Sequence, residues 1–109
     1  MSPIAENIKH YTDTLHHLFQ AYEEANKFPL MGDTVTRDLD TLIDLTSLSM
    51  LDYMNKVLAN GDWEIYKEND SYHAMHMNKA NEVDLGKIND AKDAVDVSTK
   101  FISAISANL

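Results

Sequence analysis

Chain breakers constrain this sequence more than any other feature, because only three glycines and two prolines stand among its 109 residues. Most of them stand where helix ends are expected, and the intervals between them are long. Ser2-Pro3 reads as a helix start: the serine hydroxyl caps free N–H groups, and proline suits the first helical position, where an N–H has no partner anyway. Apolar residues then recur at helical spacing through Ile4, Ile8, Tyr11, Leu15, Leu18, Tyr22 and Ala25. This predicts a first helix over 3–27, ending before Pro29 because the residue ahead of a proline avoids the α region. FPLMGD (28–33) is expected as a loop.

Asp33, Thr34 or Thr36 is the expected cap of a second helix over 35–59, whose apolar residues cover more than one face. Asn60-Gly61 closes it, glycine supplying the left-handed conformation, and Asp62 then caps a third helix over 62–81. A fourth, over 85–107, follows through Leu85, Ile88, Ala91, Val95, Ile102 and Ile105. Four amphipathic segments on short loops imply an all-α fold, a single-domain up-down antiparallel four-helix bundle spanning 1–109.

Eighteen acids face nine bases, a formal charge of −9. Phosphate neutralisation needs a clustered basic face, so nucleic acid is not an expected ligand. No run approaches the roughly 18 apolar residues of a membrane span, and MSPIAENIKHYTD lacks a basic region followed by an apolar one. The cytoplasm is the expected compartment. The absence of cysteine removes disulfides, thiolate metal sites and thiol nucleophiles. Phosphate-cradling loops and serine-nucleophile motifs are missing too, and no cofactor is expected.

The leading expectation is therefore a non-catalytic module that binds another protein, one with a basic surface, by occupying that surface, as immunity proteins, antitoxins, inhibitors and adaptors do. On the second helix, Leu45 and Leu48 fall off the main apolar stripe, so with Asp38, Asp40 and Asp44 they form the expected interaction surface. A homodimer through that helix is the other arrangement considered.

DSYHAMHMNK (70–79) concentrates unusual residue types and carries two alternatives. On a helix, Asp70 and His73 stack one turn apart, and Asp13 and His17 lie four residues apart on the first helix. Imidazole and carboxylate together suit a transition metal, so these four are an alternative metal site. Further along, HMNKANEVDLG (76–86) resembles the signature of histidine phosphotransfer domains in its histidine, lysine and glycine, at His76, Lys79 and Gly86. The resemblance implies an exposed phosphoacceptor His76 on a four-helix bundle, a phosphoryl-assisting Lys79 and a receiver-domain partner. The sequence departs from that signature in Ala80, where the family has glycine, and in the acids Glu82 and Asp84.

Overall fold

The computed structural model describes residues 2–28 and 32–109, and for Gly32 and Asp33 the backbone alone. Its first two elements are helices, α1 (Pro3–Lys27) and α2 (Gly32–Ala59). The Ser2 hydroxyl accepts the N–H of Ala5, and α1 ends with Phe28 extended as its C-cap. Of the expected loop, Pro29, Leu30 and Met31 lie outside the described residues, as does the side chain of Asp33. Because α2 already begins at Gly32, Thr34 and Thr36 stand inside it rather than capping it.

At the far end of α2 the chain closes as its sequence implies. Asn60 adopts φ 53° and Gly61 φ 75°, and the Gly61 N–H reaches back to the Asn55 carbonyl at 3.0 Å. This six-residue return satisfies a carbonyl that the helix end would leave bare.

Beyond Gly61 the four-helix expectation fails. The span 62–81 is not a helix, and the fold is α+β, not all-α. Strands β1 (Trp63–Glu68), β2 (Ser71–His76) and β3 (Asn81–Gly86) form an antiparallel sheet in the order β1-β2-β3. A last helix, α3 (Ala91–Ala107), replaces the one expected from residue 85. Its cap is Asp90, whose carboxylate accepts the Asp93 N–H at 2.8 Å, while Asp93 accepts from Asn89.

The physical reason lies in period and turns. Burial along β2 alternates strictly, with Tyr72, Ala74 and His76 buried between half-buried neighbours, which is the two-residue period of a pleated strand. WEIYKE is rich in the aromatic and β-branched residues that fit such a surface. Asn69 and Asp70 both adopt positive φ, 52° and 65°, as a two-residue hairpin of primed type requires, and Asn and Asp tolerate it best after glycine. Asp62 caps no helix; its carbonyl accepts the Met77 N–H and extends the β1–β2 ladder. The second turn, residues 77–80, places Ala80 at φ 53° and is braced by the His76 ring, whose Nδ1 accepts the N–H groups of Asn78 and Lys79. A bulge at Tyr72/His73 shifts the β2–β3 register, and Gly86, at φ 100°, occupies a conformation that favours glycine.

The inner face of the sheet joins the helices through three latches. Asn55 of α2 donates to the Trp63 carbonyl at 2.6 Å and accepts the Trp63 N–H at 3.1 Å. The Trp63 indole meets His76 and Phe101 edge-on. Tyr72, fully buried, donates to Asp44 Oδ1 at 2.5 Å, and Lys67 reaches the same oxygen at 2.7 Å. Helix α1 packs chiefly on α2 and more lightly on α3. No helix among the described residues is long and apolar enough to cross a membrane.

Two substitutions test this account by urea unfolding. Asn55→Ala strands two buried backbone groups and lowers stability by about 2–4 kcal/mol. Ala80→Gly relieves a left-handed alanine and raises stability by about 1 kcal/mol.

Candidate functional site

The sheet divides its side chains by alternation. Trp63, Ile65, Lys67, Tyr72, Ala74, His76, Val83 and Leu85 share the inner face. The outer face is built from paired positions: Glu64 opposite Met75, Tyr66 opposite His73, Glu68 opposite Ser71, and on the other side His73 opposite Asp84 and Met75 opposite Glu82.

At the centre of this outer face the rings of Tyr66 and His73 stack, 5.3 Å apart and 10° from parallel. Glu82 reaches across β2 from β3: its Oε1 accepts the Tyr66 hydroxyl and lies 3.5 Å from His73 Nδ1. One carboxylate thus gathers all three strands. His73 is only 15% exposed, and its Nδ1 is buried without a hydrogen-bond partner. Around the stack stand Glu64, Glu68, Glu82 and Asp84, all exposed at the residue level. The face carries four carboxylates and neither lysine nor arginine. The nearest strand lysine, Lys67, points inward and is held by Asp44.

The hydrogen bond to Glu82 pushes the Tyr66 phenol up to about 12, because ionising it would set two negative charges together. A phenol held neutral in this way is neither a base nor a nucleophile at ordinary pH. No hydroxyl is hydrogen-bonded to His73 among the described residues.

The structure separates the expected interaction residues. Leu45, 58% exposed, and half-buried Leu48 line an open groove against Tyr11 and Tyr53 of about 560 Å³. Asp40 and Asp44 line a different, polar cavity of about 300 Å³ with Lys67, Asp70, Tyr72 and Lys87. Asp44 is committed internally, and Asp38 is exposed on α2. The Tyr72 phenol is driven upward by burial first and by Asp44 second.

The alternative sites are not assembled as expected. Asp13 is paired with Lys9 at 2.7 Å, which holds its carboxyl below the usual range, and His17 lies exposed on α1. Asp70 sits in the first hairpin turn and His73 on the outer sheet face. No group of three or more His, Cys, Asp or Glu side chains fit to hold a metal occurs among the described residues. His76 is on a strand, 6% exposed, with Nδ1 occupied by two backbone N–H groups. Lys79 donates instead to the Asn108 carbonyl, and Gly86 serves the bulge.

The outer face is hidden when residues 62–81 are read as a helix. Read at a period of two, Glu64-x-Tyr66-x-Glu68, Ser71-x-His73-x-Met75 and Glu82-x-Asp84 put the same residues on one side. Comparisons with protein-family models, curated proteins and solved structures returned no match, so the use of this face is argued from its own chemistry.

Spectrophotometric alkaline titration checks the geometry. Tyr66 and Tyr72 should ionise well above the ordinary phenol value near 10, and Glu82→Gln should return one of the two toward it. The Tyr66 value is raised in the folded state, so its contribution to stability is complete below about pH 10 and is lost as pH climbs through about 12.

Proposed function

We propose that this protein is a non-catalytic interaction module that docks a cationic protein segment on the outer face of its sheet. The observation that carries the reading is charge segregation: the outward strand positions around the stacked Tyr66–His73 pair hold four carboxylates and neither lysine nor arginine. Complementary fields steer such encounters and select partners, and a net charge of −9 extends the attraction beyond contact range. The half-buried Tyr66, His73 and Met75 supply apolar area at the centre, inside a charged rim. The partner envisaged is rich in arginine or lysine, and the protein acts by covering that partner's basic surface.

A blocked arginine-rich peptide is the probe. Its affinity should fall as salt rises, since exposed charges are screened within about 8 Å at physiological ionic strength. Glu64→Gln with Glu68→Gln should weaken binding by about fivefold or more, the size of roughly 1 kcal/mol. Asp38→Asn with Asp52→Asn removes the same charge from α2 and should leave binding nearly unchanged. Equal losses in both pairs would mean that the peptide senses overall charge and not this face.

A further inference from the structure

We infer that His73 makes the docking face pH-responsive, releasing a cationic partner on mild acidification. The inference rests on the docking reading and adds its regulation. The starting point is geometric: His73 Nδ1 is buried, bonded to nothing, and 3.5 Å from a carboxylate oxygen already accepting the Tyr66 hydroxyl.

The groups that face His73 come from both flanking strands. From β1 they are Tyr66 directly opposite, with Glu64 and Glu68 two residues to either side. From β3 they are Asp84 opposite and Glu82 on the diagonal, and on β2 itself the same-face neighbours are Ser71 and Met75. Every ionisable neighbour on this face is therefore a carboxylic acid or a phenol. Lys67 and His76 belong to the inner face.

Between about pH 5 and pH 8 histidine is the side-chain type whose charge ordinarily changes, carboxylic acids and phenols titrating outside that range. Neutral His73 leaves four negative charges for a partner. Protonated His73 places a positive charge at their centre and gives Nδ1 a proton to donate to Glu82. That carboxylate is then turned from the partner toward its own sheet. The ring is clamped by Tyr66 at 5.3 Å, so the new charge stays in place rather than swinging into solvent. The docking face becomes less negative at the spot where a cation would sit.

The experiment measures affinity for the blocked arginine-rich peptide from about pH 7.5 down to about pH 5.5 in four proteins: wild type, His73→Gln, His73→Phe and His17→Gln. His73→Phe keeps a flat ring against Tyr66 and guards against loss of the fold. The wild type should bind about three- to tenfold more weakly at the acidic end, the scale set by one unit charge several ångströms away near a protein surface. Both His73 variants should bind equally at the two ends, and His17→Gln should follow the wild type. A pH slope that survives in both His73 variants overturns the switch and leaves the docking reading standing. A wild type that binds the peptide at neither end overturns the docking reading and the switch with it.

Discussion

The architecture depends on the pair of hydrogen bonds by which Asn55 receives Trp63. A helix end and the first residue of a strand meet there without a backbone ladder between them. The amide side chain supplies the missing partner, donating to the carbonyl and accepting from the N–H, as a neighbouring strand would. Fixing Trp63 in that orientation sends its indole inward against Phe101 and His76, and the alternation of the whole sheet follows from that phase. Had Trp63 turned outward, the acids of β1 would have been driven into the core.

That phase also explains how charge is sorted. Lys67 and Asp44 meet on the inner side, where the lysine ammonium lies 5.5 Å from the centre of the Tyr72 ring. The cation that could have neutralised the outer face is spent beneath it. What remains outside is acid around an aromatic stack, with Glu82 tying β3 to β1 across the central strand. The same carboxylate orders the platform and contributes to its charge.

The helices were largely legible. Ser2-Pro3 marks the start of α1 and Asn60-Gly61 the end of α2, because those caps are local chemistry, whereas Asp62 reads equally as a cap and leads into a strand. The sheet was not, for a reason visible in β1 and β2: Trp63, Tyr66, Met77 and Ala80 also fit a helical stripe, and short apolar runs satisfy both periods. The deciding signal was the turn. Asn69-Asp70 between KE and SYH forms a primed hairpin without glycine, and Ala80 takes a left-handed conformation that nothing in its side chain announces. With the strands misread as helix, Tyr66, His73 and Glu82 could not be seen as neighbours. His73 and Asp70, paired in a helical reading, go to a strand face and a turn.

The attachment of α1 has a consequence of its own. Although 25 residues long, it buries only Leu15 and Ala25 almost completely, and its largest interface is with α2 alone. The sheet and α3 are held to α2 by interior hydrogen bonds and aromatic edges, and α1 by Leu15, Ile8, Leu18, Phe19 and Tyr22 on the core together with the exposed pairs Asn7–Tyr53 and Tyr11–Ser49. Because the contact between α1 and α2 is the most extensive between any two elements, opening α1 would bare the apolar flank of α2 as well. The strands pack on α2 and α3 rather than on α1, so the outer face of the sheet draws its support from those two helices.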